Sequence, residues 1–348
     1  MVTIKDVARE AKMSVATVSR VLNGSGPVSE DTRQLIREVA GRMRYVPHSG
    51  ARSLITSKTD TLGVLLPDLY GEFFSEVIRG MDDTAQKNGF HLLISRAYAD
   101  RHGIETAMRA MRGRVDGVVV MSPDLDSDTL LNLPSTIPVV LLCSVARGNE
   151  LDSVTIQNCR GAREMVTHLV SVGHRRIAII KGSPRNYDAA ERLRGYRVAL
   201  REAGIAPEAA LEREGDFTEA GGYNAALALL AMNPRPTAIF AANDSMAIGA
   251  LSALRDARVQ VPDEMAVAGF DDIPLARFMD PPLSSVRVPI CELGARAVEI
   301  LLNGVTHKND HARRRERVST ELVIRRSTGG QPAERPPPIT FNREMASV

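Results

Sequence analysis

The sequence predicts a chain of two structural classes: an all-α head of the helix-turn-helix type, followed by a two-lobed α/β region with doubly wound parallel sheets. Two observations carry this prediction. Apolar residues recur at helical spacing from Ile4 to Met43, and from Thr61 onward short continuous apolar runs alternate with amphipathic stretches. We therefore expect a head over 1–46, a linker over 47–60, a two-lobed domain over 61–328 and a disordered, proline-rich tail over 329–348.

The head begins with two short helices separated by a tight turn. Ile4, Val7, Ala8 and Ala11 form one apolar stripe, and Thr3 followed three residues later by Asp6 fits a capping box. A second helix is expected after Ser14, which can cap it, and its outward face is small, polar and basic. A third amphipathic run over 29–43, with residues such as Leu35 and Ile36 turned inward, completes a three-helix domain.

Basic charge is concentrated in this head. Residues 1–58 contain ten basic and five acidic side chains, a net charge of +5, whereas the whole chain carries only +2. A basic end with a short, small-faced second helix is typical of a module that places a helix in the major groove of DNA. On periodicity alone, a solvated helical hairpin without a ligand is the alternative.

The linker, residues 47–60, is polar and contains Pro47 and Gly50, and its composition is that of a flexible connector. Beyond it, buried-type strands are expected over 62–68, 90–95, 115–122, 138–143, 175–182, 238–243 and 265–272. Helices are expected over 73–88, 103–112, 158–172, 191–203 and 246–257, and lobe crossings near 155–158, 285–289 and 319–323. Two such rounds imply two lobes with a cleft between them.

Ligands of open parallel sheets bind beyond the carboxyl ends of the strands. Asn243, Asp244 and Asp271 follow strand-like runs, and Asp188 and Arg192 lie at the start of a helix. Each also has a structural interpretation, because a carboxylate such as Asp244 can cap a helix and an arginine can form a surface ion pair. The aromatic candidates near strand ends, for which core packing is the alternative, are Phe73, Phe74 and Phe217.

The composition excludes several other classes. No apolar run approaches the roughly 20 residues that cross a bilayer, and the chain starts on a folded motif, so we expect a cytoplasmic protein without membrane contact. Three scattered cysteines are interpreted as reduced structural thiols, and the His307 and His311 pair as a solvated loop. No phosphate loop, dinucleotide turn, nucleophile or metal constellation is found, so neither an enzyme nor a cofactor is expected.

The stretch TIKDVAREAKMSVATVSRVLNG, with VSEDTR, RYVP and ARSL after it, resembles the DNA-binding head of the LacI/GalR family of bacterial transcription regulators. The resemblance implies that Val15, Ala16, Thr17 and Arg20 meet base edges, and Arg20 has the fork that matches the paired acceptors of guanine. It also implies that the linker orders into a hinge helix on the operator, with Leu54 wedged in the minor groove. Gly50 departs from the larger residue that is usual in this hinge.

ANDSMAIGAL, GFDD, GHRRIAII, RLRGY and LVIRRST resemble the regulatory domain of the same family, which is similar to periplasmic sugar-binding proteins. The resemblance implies that Arg192, Asn243 and Asp271 hydrogen-bond a small ligand, with Asp188 beside Arg192, and that Phe73, Phe74 and Phe217 pack on its face. Gln157 departs from the aspartate that is common before Asn158.

These observations together predict an effector-controlled regulator, a repressor, that binds pseudo-palindromic operator DNA as a homodimer, with a tetramer left open. The expected effector is a sugar or oligosaccharide. The alternatives are a purine or nucleoside effector, which three aromatic side chains could hold, and a cytoplasmic sugar-binding protein.

Overall fold

The protein is described by a computed structural model, which covers residues 2–22, 26–45, 58–96, 101–133, 136–146, 148, 150–307 and 311–329. The chain divides into two compact units. One takes in residues 1–61 and 111–116, and the other takes in 62–110 and the chain from 117 onward. Residues 47–57 of the predicted linker and 330–348 of the predicted tail lie outside the described residues.

The first unit contains the three predicted helices, α1 (Ile4–Glu10), α2 (Val15–Leu22) and α3 (Glu30–Arg42). The Asp6 carboxylate accepts from both the backbone N–H and the hydroxyl of Thr3, at 3.0 and 2.7 Å, and Ser14 Oγ accepts from Thr17 N at 3.1 Å. The predicted caps are thus confirmed. The common core of the helices consists of Val7, Ala8, Ala11, Val18, Val21, Ile36, Val39 and Ala40.

One core prediction for the head is wrong. Leu35 is 41% exposed, whereas its neighbour Ile36 is fully buried. A 13-residue helix packed against two short ones buries a narrower stripe than the sequence pattern offered, and Leu35 lies at the edge of that stripe.

A buried carboxylate fixes the chain where the linker ends. Asp116 Oδ1 accepts from the backbone N–H of Thr59 at 2.8 Å and from its hydroxyl at 3.0 Å, and Oδ2 accepts from Asp60 N at 2.9 Å. Asp116 is buried. These three bonds hold residues 59 and 60 to Asp116 directly before the first strand.

The second unit consists of two lobes, each built on a six-stranded sheet. The strands of lobe 1 are β1 (Thr61–Leu66), β2 (His91–Arg96), β3 (Gly117–Met121), β4 (Val139–Leu142), β5 (Asp152–Ile156) and β11 (Arg315–Val318), in the order β11-β5-β4-β3-β1-β2. The strands of lobe 2 are β6 (Ile177–Lys181), β7 (Glu212–Glu214), β8 (Ala238–Ala241), β9 (Ala266–Asp271), β10 (Ser284–Arg287) and β12 (Glu321–Val323), in the order β12-β10-β9-β8-β6-β7. β10 and β12 pair antiparallel, while β6, β8, β9 and β10 pair in parallel.

Helices alternate with these strands. They are α4 (Glu72–Lys87), α5 (Arg101–Met111), α6 (Ser127–Leu131), α7 (Asn158–Ser171), α8 (Tyr187–Glu202), α9 (Glu219–Leu230), α10 (Asp244–Asp256) and α11 (Ile290–Thr306). α4 packs on α11 in lobe 1, whereas α7 packs on α8 and α9 on α10 in lobe 2. A Cβ at Gly80 would lie 1.9 Å from the Cys291 carbonyl oxygen, so only glycine permits this approach of α4 to α11.

The chain crosses between the lobes at three places. It leaves lobe 1 after β5, returns between β10 and α11, and passes again into lobe 2 between β11 and β12. The structure confirms the three crossings that the sequence predicts. The backbone bond from Gln157 N to Val318 O, 3.0 Å long, holds the first and third crossings together.

Candidate functional site

The outward face of α2 is small except for one long basic side chain. Val15 and Ala16 are exposed, Thr17 is half-buried with its hydroxyl 2.8 Å from Ser14 Oγ, and Arg20 is exposed. Val18 and Val21, on the opposite face, are buried in the head core. The helix can therefore approach a groove closely, with the Arg20 fork free of the core. Leu54 lies outside the described residues.

The second candidate site centres on Arg192 in α8, whose side chain is buried although it carries a charge. Its Nε donates to Asn158 Oδ1 at 2.8 Å, and one Nη donates to the Ala242 carbonyl oxygen. The guanidinium also lies 3.8 Å from the centroid of the Phe270 ring. Because these contacts fix the plane of the guanidinium, its remaining N–H groups have defined directions.

Asp271 lies at the carboxyl end of β9, where the sequence predicts a ligand-binding residue. Asp271 is 5% exposed, and its φ of 108° is a backbone conformation that residues other than glycine rarely adopt. Oδ1 is 3.2 Å from an Arg192 Nη, yet no donor among the described residues meets this buried oxygen with hydrogen-bonding geometry. Burial raises the pKa of Asp271 to about 7, although the charge of Arg192 opposes this change.

Asn158, which sequence reasoning left out of the site, connects the candidates. Its Nδ2 donates to Asp188 Oδ1 at 2.7 Å, while its Oδ1 accepts from Arg192. Burial raises the pKa of Asp188, against the charge of Arg192. Phe270 was also missed. The sequence places Asn158 at a lobe crossing and Phe270 directly before Asp271, but it does not show which side chains the two residues contact.

Asn243 lies next to the network, because the preceding residue, Ala242, accepts from Arg192 through its carbonyl oxygen. Its Oδ1 caps α10 by accepting from Met246 N at 3.0 Å, and its Nδ2 donates to the Phe217 carbonyl oxygen at 3.0 Å. Asp244 is neither the cap nor a ligand group. It is fully buried, and it accepts from Ile273 N at 2.8 Å and from the Ser285 hydroxyl at 2.6 Å.

The aromatic candidates are half-buried and pack against the hydrophobic core. The ring of Phe217 lies against Gly182 at the end of β6, where a Cβ would come within 2.3 Å of the ring. Phe217 itself has a φ of 67°. Phe73 and Phe74 begin α4 in lobe 1, with ring centroids 5.6 Å apart and planes at 88°. The network around Arg192 lies in lobe 2, so these two rings belong to the facing lobe.

Two backbone N–H groups of lobe 2 donate to groups of lobe 1. Tyr187 N donates to the Pro123 carbonyl oxygen at 2.9 Å, and Leu275 N donates to Glu72 Oε2 at 2.8 Å. Burial, followed by the charge of Asp188, raises the pKa of the Cys143 thiol at the end of β4. The carboxyl groups of Asp188 and Asp271 and the guanidinium of Arg192 are thus buried in one network, with Cys143 of lobe 1 next to Asp188.

The described residues contain no group of three or more His, Cys, Asp or Glu side chains that could hold a metal. The His311 ring is 2.8 Å from Asp152 Oδ2 and 2.9 Å from Asn303 Oδ1, so the expectation of a solvated loop is wrong for this histidine. None of the helices in the described ranges combines the length and apolar character of a bilayer-crossing segment.

Both the head and the two-lobed domain match families of known proteins. Residues 3–48 match the family model of the bacterial regulatory proteins, lacI family, and residues 166–328 match a periplasmic binding protein-like domain. The HTH-type transcriptional regulator GalS of Salmonella typhimurium is 39% identical over 309 residues, which cover 87% of this chain and 90% of that protein.

Solved structures of the same architecture are similar over nearly the whole chain. The lac repressor dimer bound to operator and the anti-inducer ONPF has a TM-score of 0.85 at 28% identity, covering 94% of this chain and 99% of its own. The complex of the transcriptional regulator CelR with cellobiose has a TM-score of 0.71 at 31% identity, covering 94% and 100%. The chain belongs to the LacI/GalR family of bacterial transcription regulators. It is a DNA-binding regulator and not an enzyme.

Proposed function

We propose that the chain is a cytoplasmic, homodimeric repressor whose affinity for a pseudo-palindromic operator is set by a sugar or oligosaccharide bound between its two lobes. The observation that carries the effector site is the buried Oδ1 of Asp271, which has no hydrogen-bond donor among the described residues and lies beside a fixed guanidinium. The charge of Arg192 lies beside this oxygen, but a hydrogen bond of good geometry is missing, and a hydroxyl donor from a ligand would supply it.

A sugar fits the chemistry of this network because each hydroxyl both donates and accepts. Asp271 and Asp188 offer buried acceptors, and Arg192 offers further N–H donors whose directions are fixed by its bonds to Asn158 and Ala242. An anionic ligand is disfavoured, since the network already contains more carboxyl groups than guanidinium groups. The complex of a relative with cellobiose supports the same class of effector.

The nucleobase alternative requires aromatic rings that stack on a planar ligand. The rings of Phe73 and Phe74 meet at 88°, so only one of them can be parallel to a given base. Phe217 turns its ring against Gly182. The packing of all three therefore favours a sugar over a purine.

On the DNA side, we assign base reading to Val15, Ala16, Thr17 and Arg20, with Leu54 as the minor-groove wedge of the paired hinges. The small exposed side chains let α2 approach the major groove, and the Arg20 fork matches the N7 and O6 acceptors of guanine. Two heads are needed because one contacts too little DNA, and a relative binds its operator as a dimer. The matching head sets aside the sugar-carrier alternative, which has no use for it.

The experiment that tests the DNA-binding surface starts from an operator selected from random duplexes with the wild-type protein. Arg20→Ala should weaken binding to this operator by about 1–3 kcal/mol and change binding to random duplex much less. Arg37→Ala, which removes the same charge from the exposed surface of α3, is the matched control. An equal loss on operator and on random duplex refutes base reading by Arg20.

A further inference from the structure

We propose that a second cavity, beside the first and third lobe crossings, binds a small phosphate-bearing anion independently of the sugar cleft. The cavity has a volume of about 460 Å³, and four arginines line it: Arg160, Arg163, Arg194 and Arg317. The size suits a small metabolite rather than a macromolecule.

The charges that line the cavity are unbalanced. Glu191 is the one carboxylate among the lining side chains, and it pairs with Arg194. The partners of Arg160 and Arg163 are Glu164 at 2.8 Å and Glu202 at 2.7 Å, and neither of these carboxylates lines the cavity. Arg160 also donates to the Gln157 side-chain oxygen at 3.4 Å. A guanidinium has five N–H groups, so these contacts still leave donors for an anion.

Among the four arginines, Arg317 has the most N–H groups available to an anion. It is exposed on β11, and within the described ranges it has no carboxylate within ion-pair distance. It lies close enough to Tyr187 for its charge, like that of Arg194, to oppose the burial that raises the pKa of the Tyr187 hydroxyl. Positive charges from two separate elements therefore converge on one side of the cavity.

The backbone adds an anion-binding element of its own. α7 begins at Asn158, and the side chain of its N-cap residue, Gln157, forms no capping hydrogen bond. Gln157, Asn158 and Cys159 all line the cavity, so the first turn of this 14-residue helix opens into it. Uncapped N–H groups and the helix dipole favour a negative charge at this point. Because the Gln157 side chain is a neutral amide, it adds no negative charge that would compete with a bound anion.

Tetrahedral phosphate suits this arrangement better than a carboxylate does. Its oxygens can accept from several guanidinium groups and from backbone N–H groups at the same time, and arginine forks bind such oxygens in pairs. A carboxylate has two oxygens and a single charge, so it would leave most of these donors unused.

The position of the cavity indicates what binding would do. Arg317 belongs to lobe 1, while Arg160 and Arg194 belong to lobe 2, and the Gln157 to Val318 backbone bond lies between them. An anion held by both sets of arginines binds one arrangement of the lobes better than another. Such a difference in affinity is what a regulatory ligand requires.

Pyrophosphate is a suitable probe, titrated into the full-length protein at constant ionic strength set with sodium chloride. We expect the Tm of the wild type to rise with pyrophosphate concentration, because the ligand binds the folded protein. Gln157→Asp places a carboxylate at the helix cap, which supports folding, and it should weaken pyrophosphate at least tenfold. Arg317→Ala should have the same effect on pyrophosphate binding.

Two controls make the result decisive. Arg314→Ala removes an equal charge from the same segment outside the cavity, and Asp271→Asn alters the cleft, so both should retain wild-type affinity for pyrophosphate. If the wild type does not respond, or if Gln157→Asp and Arg317→Ala respond like the wild type, the cavity is not an anion site. If Asp271→Asn abolishes the response, the anion occupies the cleft, and the proposal of a separate site is wrong.

Discussion

An Arg192 guanidinium nitrogen lies 3.2 Å from Asp271 Oδ1, and the two side chains are 4% and 7% exposed. The distance is that of an ion pair, but the angle is not that of a hydrogen bond, so Oδ1 keeps an unused acceptor. Removing two charged groups from water is costly unless further bonds compensate, and here one bond is missing. The Arg192–Asp271 pair is thus buried with one hydrogen bond to Asp271 Oδ1 unmade among the described residues.

The pH dependence of stability should reveal the protonation of Asp271. Its pKa is about 7 in the folded protein and about 3.9 in an unfolded chain. Between these values the folded protein holds the extra proton, so this group lowers the free energy of unfolding as pH rises from about 4 to 7. Asparagine cannot titrate. The stability of the wild type relative to Asp271→Asn should therefore fall by up to about 1.4 kcal/mol per pH unit in this window.

Urea unfolding of both proteins at several pH values gives this difference directly. Other titrating groups, such as Asp188, are common to the two proteins, so most of their contribution cancels. Stability curves of wild type and Asp271→Asn that run parallel from pH 4 to 7 would show that Asp271 is not the titrating group.

The free energy of unfolding should depend more on the geometry of the Arg192 fork than on its charge. Arg192→Lys keeps the charge but cannot bond Asn158 and the Ala242 carbonyl while also facing Asp271. Buried partners left without a donor should lower the free energy of unfolding by at least about 2 kcal/mol. Arg194→Lys, two residues further along α8 in an exposed pair with Glu191, should change it by less than about 0.5 kcal/mol. Equal effects of the two substitutions would contradict a structural role for the fork.

The anchor at the end of the linker can be tested by hydrogen exchange. Asp116→Ala removes the acceptors of the Thr59 and Asp60 N–H groups, each of which is bonded to a charged oxygen. We expect exchange in a peptide that covers residues 58–61 to accelerate at least tenfold, with little change in strands β8 and β9 of lobe 2. Unchanged protection of these amides would mean that other contacts hold the end of the linker.

The sequence predicted the main features of the fold because buried strands and amphipathic helices have a local signal. The predicted strands over 62–68, 238–243 and 265–272 correspond to β1, β8 and β9, and each bound agrees within two residues. The sequence did not predict α9 and α11. For α9 the reason is that its glycines and all-round apolar character hide the helical period. The short strands β5, β7, β10, β11 and β12 lie at crossings and edges, where neighbours rather than sequence decide the conformation.

For the site, residue type and strand ends indicated Asp188, Arg192, Asn243 and Asp271, which the structure joins in one network. The linking role of Asn158 could not be predicted, because it depends on α7 and α8 packing side by side. Asp244 looked equivalent to Asp271 in the sequence. It differs only because Ser285 and Ile273, brought close by the sheet, satisfy both of its oxygens.

The most direct test of the account is the change in operator affinity that a saccharide causes. Thermal-shift screening of mono- and disaccharides, cellobiose and ribose among them, identifies the sugar that stabilises the wild type most. Operator Kd is then measured with and without a saturating amount of this sugar for the wild type and Asp271→Asn. We predict at least a tenfold change for the wild type and none for Asp271→Asn, with equal operator affinity in the absence of sugar. A response of Asp271→Asn as large as that of the wild type would contradict control of DNA binding through this cleft.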